Sequence, residues 1–577
     1  MKSFSEQTLF TSRPTKSNAI FYKKGQPDEV CLTGELGYRL YKNIDRIESQ
    51  TPYCTEYVLG QIHGAKDCWS NFPRFHGDIA GRWILAETYA HSGSKTAPKD
   101  LSHLLEKLIE LQNEDGSFGC ISSEQNTLNM HRAYGNGWLI KGLSEYASCF
   151  SDNKAKESAR RLGEFYLETA PKWIESAISE GDTKFYAVSI SCFYHCLDGL
   201  MSLYRLLHDQ RYVNLIEEMI PLLPPIEEAD HSHMFLTIRR GLLEYYIETE
   251  NQDGIQKIAE TCQNIWDTCC LETGGLPERF WNKESSHTDE ACSLFDWSLL
   301  LLRLSEFSDK SCWIKYATMN LENHIFYNQT YNGGFGSCEI HGKYPQHGKE
   351  APWCCSLYGP YGLIQIGNSA AVLNDKTLTI KLWIEGIYSW KAKGRTTKLT
   401  LRKMSQNDTW QIIIEGDLPE KLQLYLPFWF EHDLNIPTIE DYVTVDAPKS
   451  KFKVNLKPRL WASESKRSPE LISSPTQGQT VALHAGPTLL AHRFNHLPSV
   501  CLGAPTKGTW AINTKEELKG LGFYGRGTRV IVDATNPQDR GDVFLGVHEN
   551  DHSLYLYPVA LKESPDSVET RTIINFK

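Results

Sequence analysis

Two neighbouring stretches decide how the first two thirds of this chain fold: Phe235-Leu-Thr-Ile-Arg-Arg-Gly-Leu-Leu-Glu-Tyr-Tyr-Ile-Glu-Thr249 and Gly254-Ile-Gln-Lys-Ile-Ala-Glu-Thr-Cys-Gln-Asn-Ile-Trp-Asp267. In both, apolar residues return at spacings of three and four, the period of a helix with one face in a core. A short polar break parts them, and Thr273-Gly274-Gly275 closes the second. The pair reads as a helical hairpin.

Working outward, the same texture recurs from residue 75 to 370, roughly eleven helix-length segments in all by their apolar period. Asp78–His91, Leu101–Asn113, Trp138–Phe150, Lys154–Thr169, Leu200–Leu207, Ser293–Phe307 and Trp313–Phe326 are the clearest of the others. A series of hairpins buries every helix when it closes into a double ring, so an (α/α)6 toroid is expected. After Gly367 the texture changes to short alternating strands, such as Leu378-Thr-Ile-Lys-Leu-Trp-Ile, Lys398-Leu-Thr-Leu and Trp410-Gln-Ile-Ile-Ile. These read as one or two β-sandwiches. The fold class is therefore α+β and multidomain: a catalytic barrel over 1–370, a β-sandwich over 371–475, and a second β-rich domain, or continuation of the sandwich, over 476–577. Ser463–Gln479, rich in Ser, Pro and Lys, reads as a loop near the internal boundary.

Composition narrows the partner. Sixty Lys and Arg against 71 Asp and Glu leave a net charge of −11, which argues against a nucleic-acid groove or an anionic membrane surface. The first ten residues lack the apolar run of an export signal, and no stretch is apolar enough to span a bilayer. A cytoplasmic protein is expected, in which 16 cysteines stay reduced and serve as core thiols, metal ligands or catalytic groups.

Two of the cysteine-bearing segments carry chemistry. Cys354-Cys355 lies in Glu350-Ala-Pro-Trp-Cys-Cys-Ser-Leu-Tyr-Gly, where Pro352, Gly359 and Pro360 suggest a loop. Asp289-Glu290-Ala-Cys292 immediately precedes a helical pattern, and at such a junction side chains two apart can converge. Glu290, Cys292, Cys354 and Cys355 together supply one carboxylate and three thiols, a set suited to tetrahedral zinc. Adjacent cysteines are also commonly two buried thiols. Cys269-Cys270 is a rival pair, but with Cys262 on the same amphipathic face it reads as core.

Through these residues the chain resembles the β-L-arabinofuranosidase family of zinc–cysteine glycoside hydrolases. The resemblance runs through Gly274-Gly275, Pro277-Glu-Arg-Phe280, Glu290-x-Cys292 and the later Cys-Cys. It continues in Gln112-Asn-Glu-Asp-Gly-Ser-Phe-Gly119, His131-Arg-Ala-Tyr134, Leu203-Tyr-Arg-Leu-Leu-His-Asp-Gln-Arg-Tyr212, His231-Ser-His233 and Val481-Ala-Leu-His-Ala-Gly-Pro487. It departs after the cysteine pair, where the family often has Pro-Pro-Asn and this chain has Ser-Leu-Tyr. It implies a retaining glycosidase that removes L-arabinofuranose or a related sugar from plant-type glycans. Cys354 would be nucleophile and zinc ligand, Glu278 acid/base, and Glu290, Cys292 and Cys355 the remaining ligands, with His231, His233 or Arg279 offsetting the excess negative charge.

Asp78, His131, His195, His231 and His233 are candidate sugar contacts, each with a plainer reading: a histidine satisfied by a core hydrogen bond, an aspartate capping its helix. The implied partner is a glycoside or oligosaccharide, and a homodimer is compatible with the sequence. Two other classes fit the same pattern. One is a metal-free (α/α)6 uronide hydrolase or polysaccharide lyase, with replaceable thiols. The other is a non-catalytic, zinc-containing carbohydrate-binding protein, which chelation would unfold.

Overall fold

The computed structural model describes residues 15–18, 20–21, 25–63, 75–94, 96–119, 130–180, 191–223, 225–226, 230–281, 288–308, 310–330, 332–339, 346–392, 394–404, 408–464, 481–494, 529–532, 545–549, 552–558 and 570–572. It is a mixed α+β molecule: helices dominate up to Asn368, and the later segments are strands.

The helices are of two kinds, and their sequences say which. Asp78–Ala90 and Cys355–Asn368 are buried at every position, and Ala291–Leu304 at all but Arg303. Helices apolar all round must lie inside. Lys99–Glu110 buries only Leu101, Leu104, Leu105 and Leu108, and Gln252–Thr268 a similar stripe from Gly254 to Ile265. These face the core on one side and water on the other.

Contacts among the buried helices run in a closed cycle. Asp78–Ala90 packs on Met130–Phe150, which packs on Leu197–Leu207, then Ser232–Glu248, Ala291–Leu304 and Cys355–Asn368, which returns to Asp78–Ala90. The amphipathic helices Lys99–Glu110, Asn153–Glu180, Gln210–Met219, Gln252–Thr268, Cys312–Met319 and Gly34–Ser49 each back one or two members of that cycle. Backbones come close where glycines allow: a Cβ on Gly81 would sit 2.4 Å from the carbonyl carbon of Trp138.

The described strands form four sheets. The first joins Thr15–Asn18, Glu29–Leu32, Gly386–Ala392, Arg395–Lys403, Thr409–Gly416, Lys451–Pro458 and Phe430–His432. The first described strands of the chain thus belong with strands after residue 385, and the buried Val30 and Leu32 hold them there. A four-stranded sheet contains Ala371–Asn374, Thr377–Ile380, Lys421–Tyr425 and Tyr442–Asp446, with Lys421–Tyr425 parallel to Thr377–Ile380. A third sheet begins at Leu460–Glu464 and includes Val481–Ala485, Thr488–Phe494 and His552–Pro558. Asn323 ties it to the helices, donating to Pro487 O at 3.0 Å and accepting from Leu489 N at 2.7 Å. A small sheet of Asp289–Glu290, Gly336–Glu339 and Gln346–Glu350 sits among the helices.

Two expectations need correction. Trp313–Phe326 is not one regular helix: Cys312–Met319 passes into a π-helical segment, Asn320–Ile325, where buried Asn320 donates to Leu294 O and Ser298 Oγ. The segment after Cys354 is not a loop but the helix Cys355–Asn368. Pro360 cannot bond back to Ser356 O, and that carbonyl is taken instead by Asn43 Nδ2 at 3.2 Å. Gly362 admits the Phe295 ring, 2.4 Å from where a Cβ would stand. What reads locally as a breaker is a packing device. Most of Ser463–Gln479 lies outside the described residues, which resume at Val481.

Candidate metal centre and active site

Glu290, Cys292, Cys354 and Cys355 converge, with one donor atom from each within 4.8 Å of the others. Two helix starts bring them together. Glu290 is the N-cap of Ala291–Leu304 and Cys292 lies in its first turn; Cys354 is the N-cap of Cys355–Asn368 and Cys355 its first residue. Helix N-termini favour negative charge, so two of them are aimed at an anionic cluster. Hairpin strands Gly336–Glu339 and Gln346–Glu350 set the spacing, since Asp289–Glu290 pairs with the first and the second leads into the cysteines.

The residues present fit zinc. The sulfurs of Cys354 and Cys355 are 3.4 Å apart and those of Cys292 and Cys355 3.6 Å, and Glu290 Oε1 lies 3.8 Å from both Cys354 and Cys355. A tetrahedral ion with bonds near 2.3 Å holds its sulfurs about 3.8 Å apart, so the observed edges already approach those of such a site. Burial pushes the Cys292 and Cys355 thiols well up, while S–H donation from those two lowers Cys354 well below the ordinary thiol range. Burial opposes the charge of Glu290, yet the hydrogen bond and charge of His231 prevail and hold its pKa at about 2.

Glu278 stands beside this group. His231 Nε2 lies 3.8 Å from Glu278 Oε1 and 3.3 Å from Glu290 Oε2, so the imidazole bridges the two carboxylates. Burial, then the charge of Glu290, raises the pKa of Glu278. Burial disfavours charge on His231 as well, but the Glu290 hydrogen bond and both carboxylates outweigh it and raise that pKa. Glu278 is fixed by its backbone: its N–H donates to Thr288 O at 2.8 Å, and its carbonyl accepts from Ser232 N and Oγ, both at 2.9 Å.

The other sequence candidates fall in different places. His233 is buried, with Nδ1 2.6 Å from Asp296 Oδ2 and Nε2 3.1 Å from Arg82. His195 packs its ring on Tyr134, centroids 4.1 Å apart, and both its nitrogens are buried without a hydrogen-bond partner among the described residues. Burial lowers its pKa well below the ordinary value, so it is neutral. Asp78 is no cap, because Gly77 holds that position; it lies buried and ion-paired to Arg82 at 2.7 Å. His131 lies outside the residues whose side chains are described. Cys269 and Cys270 are buried at the end of Gln252–Thr268, apart from the metal group.

Sequence reading missed Arg82, which reaches the thiols: its Nη1 donates to Cys292 Sγ at 3.6 Å. It also missed Asp296 and Arg240, paired at 2.8 Å behind His233. A signal existed. Asp78 and Arg82 are opposite charges one turn apart in an otherwise apolar helix, and Asp296 is a lone carboxylate in an apolar run.

The molecule thus combines a cycle of packed helices with β-sheets and holds a buried carboxylate–thiol group at the N-termini of two of those helices. No protein-family model matches the chain, and no curated protein matches its sequence. Solved structures do match nearly end to end. One is a family 127 glycoside hydrolase, a β-L-arabinofuranosidase from Geobacillus stearothermophilus T6, with TM-score 0.65 and 13% identity over 93% of this chain and 96% of that one. A second β-arabinofuranosidase of that family gives TM-score 0.68 at 12% identity, over 96% and 97% of the two chains. A structure described as a glycoside hydrolase gives 0.61 at 12% identity, over 98% and 99%. At such identities the likeness is one of fold, and the resemblance carried by the sequence motifs is met at that level. Among the described residues no helix is long and apolar enough to cross a membrane.

Proposed function

We propose that this protein is a retaining glycoside hydrolase that releases L-arabinofuranose or a related sugar from plant-type glycans, with Cys354 as nucleophile and Glu278 as acid/base. The observation that carries the proposal is the convergence of Glu290, Cys292, Cys354 and Cys355 beside Glu278, on a fold shared with β-L-arabinofuranosidases. A uronide hydrolase or lyase working through carboxylates has no use for three converging thiols.

The residues divide the work by charge. A bound zinc ion would keep its cysteine ligands deprotonated at neutral pH. Cys354 Sγ attacks the anomeric carbon and forms a C–S bond as the C–O bond to the leaving group breaks, while Glu278 gives its proton to the departing oxygen. In the second step Glu278, now a carboxylate, takes a proton from water. The water oxygen attacks the anomeric carbon, the C–S bond breaks, and its electron pair returns to Cys354. His231 bridges the carboxylates, and the unpartnered ring nitrogens of neutral His195 suit sugar hydroxyls. His233 and the Asp78–Arg82 pair support the site from behind, and His131 completes the candidate sugar contacts.

The finer architecture belongs to the same reading. The six-helix cycle with its six backing helices supports an (α/α)6 toroid, and the first two sheets support a β-sandwich that also recruits Thr15–Asn18 and Glu29–Leu32. A second β-rich unit follows it. The substrate is a glycoside or oligosaccharide, and the surroundings are those of a cytoplasmic protein.

Metal analysis on protein purified without chelator, combined with a screen of aryl glycosides, tests the function. About one zinc per chain and turnover of L-arabinofuranosides support it. Full activity without zinc would favour metal-free carboxylate chemistry, and unfolding by chelator in a protein that turns over no glycoside would favour a structural zinc in a binding protein.

A further inference from the structure

Arg82 is committed on every side. On the buried helix Asp78–Ala90, its Nε donates to Asp78 Oδ1 at 2.7 Å and its Nη2 to Tyr134 OH at 3.1 Å. The same Nη2 faces His233 Nε2 at 3.1 Å, and the guanidinium lies 4.0 Å from the Trp138 ring centroid. His233 is set in turn by Asp296, 2.6 Å from Nδ1, and Asp296 by Arg240 at 2.8 Å. With Nδ1–H given to Asp296, His233 Nε2 is left to accept from Arg82. Among the described residues the last nitrogen of the fork, Nη1, goes to Cys292 Sγ, at 3.6 Å.

The three sulfurs are therefore not equivalent. Among the described residues Arg82 is the nitrogen donor that reaches them, and it reaches Cys292. An N–H bond to a metal-ligating sulfur withdraws electron density from it and makes it a poorer nucleophile. Cys292 is also fully buried, as is Cys355, whereas Cys354 is partly open.

We infer that Arg82, held by Asp78 and backed by His233, is a positioning residue that pins Cys292 as a permanent ligand, which, with Cys355 buried, leaves Cys354 as the sulfur free to attack. The inference rests on the proposed function for its use of Cys354 on a sugar, but the selection among sulfurs stands on the geometry alone. It gives Asp78 and His233 a task other than touching substrate.

The test uses the full-length, zinc-loaded protein and iodoacetamide, with alkylated peptides mapped by mass. In the wild type, Cys354 should be modified while Cys292 is protected. Arg82→Met should raise alkylation of Cys292 relative to Cys354 by roughly tenfold and speed zinc loss to a chelator by a similar factor. Arg82→Lys should fail to restore the ratio, because an ammonium keeps the charge but cannot serve four partners as a planar fork does. If Arg82→Met does not fold, Asp78→Asn carries the test, with a smaller shift in the same direction. An unchanged Cys292 to Cys354 ratio and unchanged zinc release in the folded variants overturn the inference. A shifted ratio in a protein without activity on L-arabinofuranosides would leave it standing and end the proposed substrate instead.

Discussion

Burial and then the charge of the neighbouring Glu290 raise the pKa of Glu278. In its proposed role as general acid it works in the protonated form, so kcat/KM should be full below that raised pKa and fall as pH rises through it, at higher pH than for an ordinary glutamate. Glu278→Gln should abolish that limb and lower kcat/KM roughly 100- to 10,000-fold on glycosides with poor leaving groups. Activated aryl glycosides, which need no proton, should lose less in the first step. A pH profile and a leaving-group series check this, and wild-type rates on an unactivated glycoside would place the acid elsewhere. The nucleophile is tested by labelling. A cyclophellitol-type epoxide with L-arabinofuranose configuration should form a thioether at Cys354, mapped by mass, and an adduct on Cys355 or Glu290 would reassign the role. Both proposed roles come from the resemblance in the sequence. Arg82 was not legible there, because which sulfur a buried guanidinium reaches depends on packing between helices more than 200 residues apart in the chain.

At the scale of elements, the helix Cys355–Asn368 positions the cysteine pair, and it depends on a residue far away in sequence. Asn43, on the helix Gly34–Ser49, donates both to Ser356 O, left without its helical partner by Pro360, and to Gly333 O at 3.0 Å. Asn43→Ala leaves the buried Ser356 O short of a donor, while Gly333 O keeps Gln329 Nε2 at 3.2 Å, and this should cost about 2 kcal/mol of stability. Thermal unfolding measures the loss, and zinc affinity should fall with it because the helix start carries two ligands. An unchanged Tm would mean that other groups satisfy Ser356 O. Local pattern gave the amphipathic helices well, since a stripe of apolar residues has one interpretation. It misjudged the start of Cys355–Asn368 because Gly359 and Pro360 read as punctuation, and only the neighbouring Asn43 shows what the missing side chain at Gly359 makes room for.

For the whole molecule, the metal group joins parts of the ring that the chain leaves far apart, and an ion bound there would bind the folded form alone. Removing zinc should lower Tm by several degrees and stop turnover while the far-ultraviolet spectrum of the helices persists, because one apolar core continues through ring and sheets without it. Circular dichroism and calorimetry with and without chelator decide, and global unfolding on chelation would mark the metal as structural.

From residue type and spacing came the dominance of helices before Gly367 and of strands after it, the buried faces of the helices, and Glu290, Cys292, Cys354 and Cys355 as a candidate ligand set. Residue type and spacing act over a few turns of chain. Tertiary structure alone decided that Val30 and Leu32 join a sheet made mostly of residues after 385, that Asp78 supports Arg82 instead of capping its helix, and that Arg82 reaches Cys292. These are contacts between residues distant in sequence. No local period encodes them, because which buried charge finds which partner is settled only when the ring closes and each must be satisfied within it.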